Sequence, residues 1–236
     1  VTLFLLMIVT GLLCGGVATQ YLRHVHGHDT QWGFVRLLDL DGENNLPSWY
    51  SSILLFFSSS ALAIIGLHHR WAKKSYGWHW LALAAIFICL SVDEAASVHE
   101  MMGVLIDRWL VSMGYRSVET PWLLAGVPLV VIAFLALWPF AQHLPIRTKR
   151  LFFIAGGLYV GGAIGIEAME GIAFAYHRSM LIDSLTVAVE EGLEMVGVIV
   201  FLHALMMYMG TQAIRFEVVI AGCFPAADRS HSTLSS

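Results

Sequence analysis

YGWHWLALAAIFICLSVDEAASVHE, residues 76–100, opens as an apolar run and closes on four ionisable side chains, Asp93, Glu94, His99 and Glu100. A spanning helix needs about 20 predominantly apolar residues, and this stretch supplies one at about 78 to 100 whose far end carries acid. The pattern recurs at about 1 to 22, 47 to 68, 121 to 141, 150 to 175 and 184 to 211. With 58% hydrophobic and 13% charged residues among 236 and a mean hydropathy of +0.72, the chain lies far from soluble composition. Only structures that satisfy their backbone internally cross lipid. The expected fold is therefore all-α: a polytopic membrane helical bundle of six transmembrane helices.

Residues 1–212 form one such domain, followed by a small, polar tail at 213–236. The first apolar segment, VTLFLLMIVTGLL with GVAT after it, has the shape of a signal-peptide core; lacking a positive flank, it reads better as a retained span. Arg70, Lys73 and Lys74 fill one short loop and Arg147, Lys149 and Arg150 another. The excess of Lys and Arg puts both loops, both termini and the tail on the cytoplasmic side. Cys14, Cys89 and Cys223 are too far apart to suggest a disulfide framework. A net charge of −4 without a basic, aromatic-interleaved patch excludes nucleic acid as a partner.

At about 1.5 Å per residue, depth can be assigned to each acid. Asp93, Glu94, His99 and Glu100 on the third span, Glu167 and Glu170 on the fifth, and Glu190, Glu191 and Glu194 on the sixth fall at one level in the outer leaflet. A carboxylate in hydrocarbon costs about 2.5 to 3.5 kcal/mol or more, and such residues face a bundle interior and find partners. On a straight helix Asp93 and Glu100 share a stripe, and Glu167/Glu170 and Glu191/Glu194 are i, i+3 pairs. Within these spans only His99 is available as a partner. Either several carboxyls are protonated or a divalent metal ion, iron, manganese or zinc, sits among Asp93, Glu94, His99, Glu100, Glu167, Glu170, Glu191 and Glu194. No Glu-x-x-His pair of the ferritin-like type is present. Proton or cation conduction and purely structural hydrogen bonding are the competing uses of the layer.

GGLYVGGAIG sets Gly157, Gly161 and Gly165 at four-residue steps, a close-packing seam opposite Glu167 and Glu170, internal or open to another membrane subunit. In LLDLDGENNLPSWYSS, Asn45 is expected to cap the second span and Pro47 to sit in its first turn. Trp49 and Tyr50 are expected in the interfacial belt, with Asp41 and Glu43 in position to fold over the acids. The loop histidines His24, His26 and His28 read as a surface feature.

LDLDGENNLPSWYSS, LSVDEAASVHE, RLFFIAGGLYVGGAIGIE and EEGLEMVGVIVFLHAL together resemble a family of uncharacterised bacterial multi-span membrane proteins, which implies a multi-pass protein of the bacterial inner membrane and no particular activity. Ser91, Asp93 and His99 carry a fainter likeness to membrane hydrolases of the ceramidase and adiponectin-receptor type, which implies zinc held by histidines with an Asp and a Ser. The function expected from the residues is a carboxylate and histidine metal site serving a metal-dependent oxidoreductase on a lipid or quinone-like substrate. A non-catalytic subunit of a larger membrane assembly is the alternative.

Overall fold

The computed structural model describes residues 1–26, 34–40, 42, 44–169 and 180–212. Its elements are α1 (Thr2–His26), a short α2 (Phe34–Leu37), α3 (Leu46–Trp71), α4 (Gly77–Ala96), α5 (Val98–Ser112), α6 (Leu123–His143), α7 (Ile146–Val160) with a π-helical continuation (Gly161–Ile166), and α8 (Met180–Thr211). Six of these helices are long and apolar enough to cross a membrane, α7 with its continuation counting as one. Asp41, Glu43, His28, Glu170 and the tail lie outside the described residues.

Lipid is as apolar as leucine, so helices in a membrane associate through close packing and interhelical hydrogen bonds. The α3–α4 seam is built that way. Ser52 Oγ donates to Ser91 O and Ser91 Oγ donates to Ser52 O, each at 2.8 Å, and Ser59 Oγ donates to Ala84 O at 2.8 Å. Further along, Gly66 lies so close to α4 that a Cβ there would stand 2.8 Å from Leu81 Cδ2. Between α7 and α8 the close approaches are at Gly162 and Gly197, whose Cβ atoms would meet Glu190 O at 2.8 Å and Ala155 O at 2.9 Å.

Gly157, Gly161 and Gly165 have nothing within 4 Å of a would-be Cβ, so among the described residues they do not form an internal seam. The four-residue spacing located a glycine-lined face correctly, but which face meets a neighbour is decided by α8, and α8 meets Gly162.

Buried side chains fill two clusters. Leu62, Ile65, Trp80, Phe140, Phe201, Leu205 and Tyr208 pack toward the end that carries Lys74 and Lys149. Val9, Leu12, Leu54, Leu55, Met195, Val198 and Ile199 pack toward the other end, so α1 is integrated in the bundle. Thr2 Oγ1 also lies 3.0 Å from His203 Nδ1 on α8. By contrast, α6 keeps only Phe140 buried, and most of its length is free of the other helices.

Asn45 caps α3 as expected: Ser48 N donates to Asn45 Oδ1 at 2.9 Å and Asn45 N donates to Ser48 Oγ at 3.3 Å, with Pro47 in the first turn. Trp49 is exposed, but Tyr50 is turned inward and donates to Leu5 O at 3.0 Å, which removes it from the expected belt.

Residues 78 to 100 are not one helix. Ser97 adopts the left-handed conformation, φ 50° and ψ 44°, and separates α4 from α5. Non-glycine residues enter that region only where local interactions hold them. Here the Asp93 carboxylate does so, accepting from the His99 backbone N–H at 2.7 Å, a donor that the new helix cannot satisfy internally. His99 and Glu100 therefore belong to a different helix from Asp93 and Glu94, and the stripe shared by Asp93 and Glu100 does not exist.

Candidate functional site

The end of α4, the start of α5, the start of α6, the end of the α7 continuation and the first half of α8 meet around one cavity of about 1990 Å³. Apolar residues make most of its wall: Phe87 from α4, Leu129 and Phe134 from α6, Phe152 and Ile164 from α7 and its continuation, and Phe201 from α8. Asp93, Glu94, His99, Glu100, Glu167, Glu190, Glu191 and Glu194 also line it. Helix order puts these residues at one end, since they cluster where α4 stops and α8 has run about three turns. The expectation that acids distant along the chain share one chamber thus holds for every described member of the set. Glu170 is the exception, outside the described residues.

Glu194 sits at the centre. Gly162 lets α8 approach so closely that a Cβ there would lie 2.9 Å from Glu194 Cγ. The charges of Glu191, Glu94, Glu190 and Glu167 all act on the Glu194 carboxyl, and Tyr159 is within electrostatic reach of Glu194, Glu94, Asp93 and Glu191. Carboxyl groups are thus gathered at half-buried positions beside the cavity, where Coulomb interactions are screened less than in bulk solvent.

Asp93 and Glu167 are bonded to protein partners. Asp93 accepts both from the His99 backbone and from its ring Nδ1–H, the latter at 3.1 Å, leaving each side chain about a third exposed. Glu167 Oε1 accepts from Trp122 Nε1–H at 3.2 Å, and the Trp122 ring meets His99 edge-on at 5.3 Å. Asp93, His99, Trp122 and Glu167 thus form a chain of contacts from α4 through α5 and the start of α6 to the end of the α7 continuation. Among the described residues no three His, Cys, Asp or Glu side chains stand close enough together to hold a metal ion. Asp93 is bonded to His99 and Glu167 to Trp122.

Ser91 is spent on the α3–α4 seam, and Asp93 and His99 bind each other.

Three participants escaped the sequence reading. Glu190 was assigned to the acid layer but not to the site, although its i, i+4 relation to Glu194 was a usable signal. Trp122 and Tyr159 gave no local signal, because their roles depend on which helices become neighbours. The π-helical turn was also invisible. Gly161–Ile166 makes i→i+5 bonds and ends directly before Glu167, and single π turns of this kind recur at functional sites. Gly157 and Glu167, about 80° apart on a straight helix of 100° per residue, both line the cavity.

An all-helical bundle with six segments of spanning length and a largely apolar cavity with an acidic end defines a multi-pass membrane protein. The match to a family model over residues 2–209 assigns the chain to a family described as a domain of unknown function, DUF8692. Comparison with curated proteins and with solved structures gave no match.

Proposed function

We propose that this protein takes a lipid or quinone-like amphiphile into the lateral cavity, its apolar part along α4, α6 and α7 and its polar head at the acidic end. The observation that carries the reading is the division of one cavity into a long apolar wall and an acidic end. A volume of about 1990 Å³ exceeds the roughly 300–1,000 Å³ of ordinary small-molecule sites, which suits a long-chain ligand. In this reading a divalent metal ion, iron, manganese or zinc, balances the carboxylates, held by Glu94, Glu167, Glu191 and Glu194 after Glu167 releases Trp122. Such an ion would act as a Lewis acid or redox centre, and the activity named is a metal-dependent oxidoreductase acting on the head. The basic loops mark the cytoplasmic side of a bacterial inner membrane, so the acidic end and the bound head face outward and both termini face inward.

Extraction of the protein purified in mild detergent, with elemental analysis on the same sample, tests both halves. Near-stoichiometric amphiphile and metal are expected, the metal falling away in Glu167→Ala and Glu194→Ala. Amphiphile with sub-stoichiometric metal removes the metal and the redox activity; no retained amphiphile removes the whole reading.

The second reading is a non-catalytic subunit of a larger assembly, favoured by the open space at Gly157, Gly161 and Gly165 and by the exposed length of α6. Native co-purification separates it from a free-standing enzyme. Conduction of protons or cations is disfavoured by the cavity wall: between the acids and Lys149 at the opposite end, Cys89 and Tyr159 are its only titratable side chains among the described residues.

A further inference from the structure

The helix α5 belongs to no span and no core cluster. It has 15 residues, about 22 Å by the helical rise, too few to cross a bilayer, and only Gly103 on it is buried. Its two faces differ in kind. His99, Gly103 and Asp107, at four-residue spacing, line the cavity. Met101, Leu105 and Trp109, also at four-residue spacing and turned well away from the first set, do not line it and are 61%, 60% and 56% exposed. A polar stripe directed at a polar chamber needs no explanation, but a stripe of Met, Leu and Trp directed at water does.

The position of α5 says what covers that stripe. α4 is of spanning length and ends at Ala96, one residue before Ser97 and α5. α6, the next span, begins at Leu123. The whole of residues 97–122 is thus on one side of the membrane and tied at both ends to its boundary. The return path stays short: Asp107 accepts from Ser117 Oγ at 3.0 and 3.1 Å and from Val118 N at 3.1 Å, and a Cβ on Gly103 would lie 3.5 Å from Pro121 and Trp122. These contacts hold the helix beside the membrane edge. The span that follows α5 also exposes apolar side chains near its start, Leu124 and Val127 on α6.

We propose that α5 is an interfacial helix lying in the plane of the bilayer, with Met101, Leu105 and Trp109 sunk into the acyl-chain boundary and His99, Gly103 and Asp107 roofing the acidic end of the cavity. The partner is the lipid surface itself, in the manner of amphipathic helices that lie in the headgroup boundary. The inference does not rest on what occupies the cavity, and it gives the Asp93–His99 pair a positioning role: it fixes the direction in which α5 leaves α4.

The test uses the full chain in lipid nanodiscs. In a background of Cys14→Ser, Cys89→Ser and Cys223→Ser, spin labels at Leu105→Cys and, separately, Glu100→Cys are challenged with oxygen, which concentrates in lipid, and with a water-soluble nickel chelate. The expected result is a several-fold higher oxygen-to-nickel collision ratio at 105 than at 100. Equal ratios at the two positions overturn the proposal, and so does shielding of position 105 from both reagents, which would mean a protein partner on the stripe. Trp109 provides a check without labels. Brominated lipids should quench the wild-type protein more than Trp109→Phe, and identical quenching of the two also overturns it.

Discussion

The two ends of the bundle handle polar groups in opposite ways. At the end carrying Lys74 and Lys149, His69 and His143 each find two hydrogen-bond partners in the protein, while the buried Nδ1 of His79, stacked on Phe140, has none among the described residues. His69 Nδ1–H donates to Ser75 O at 3.2 Å, and its Nε2 accepts from Tyr208 Oη at 3.0 Å. His143 Nδ1–H donates to Pro139 O at 2.7 Å, and its Nε2 accepts from Tyr76 Oη at 3.0 Å. Trp80 is packed against His69, Tyr208, Phe140 and Phe152 with ring centroids 4.9–6.1 Å apart. Histidine here is structural: it closes hydrogen bonds inside a packed aromatic plug. At the acidic end, charges of one sign gather around an open cavity, and the bonds that Asp93 and Glu167 make hold helices at the rim. Matched polarity in a filled core builds stability, whereas surplus charge of one sign beside a void costs stability and is retained where a ligand uses it.

The largest expected contrast is in packing. Trp80→Ala empties the plug and should cost about 3–5 kcal/mol, seen as a large fall in the detergent melting temperature. Next comes the helix seam: Gly197→Val forces a side chain against the α7 backbone and should cost about 1–3 kcal/mol, whereas Gly161→Ala should stay within about 0.5 kcal/mol. Equal losses at the two glycines would return the packing face to the four-residue stripe. Asp93→Ala removes the acceptor at the start of α5 and should cost about 0.5–2 kcal/mol, with amide exchange accelerated at residues 98–103 and unchanged at the aromatic plug. Smallest, and opposite in sign, is Glu194→Gln with a chelator present: removing one carboxyl from beside Glu191, Glu94, Glu190 and Glu167 should raise the melting temperature slightly. A fall instead would mean that the Glu194 charge is matched by a partner in the apo protein, and the distinction between the two ends would collapse.

The boundaries of the spans were legible because hydropathy is local. Leu46–Trp71 and Leu123–His143 lie within a few residues of the stretches read at 47–68 and 121–141, and the Asn45 cap follows from its own neighbours. The common level of the acids was legible too, since the helical rise converts position into depth. What misled was the extrapolation of angle. A 100° step carried through Ser97 put Asp93 and Glu100 on one stripe, whereas the left-handed Ser97 starts a new helix.

By itself, then, the sequence determined an all-helical membrane chain, six spans and an acid layer at one depth, because length, apolarity and rise are properties of each segment alone. Only the tertiary structure decided that α4 stops at Ala96, that among the described residues Gly162 and Gly197 rather than Gly157, Gly161 and Gly165 meet a neighbouring helix, and that acids from four helices line one cavity. The reason is rotational. Depth is fixed by counting along one helix, but the face a side chain presents is fixed by what its helix packs against, and a single left-handed residue or π turn resets it.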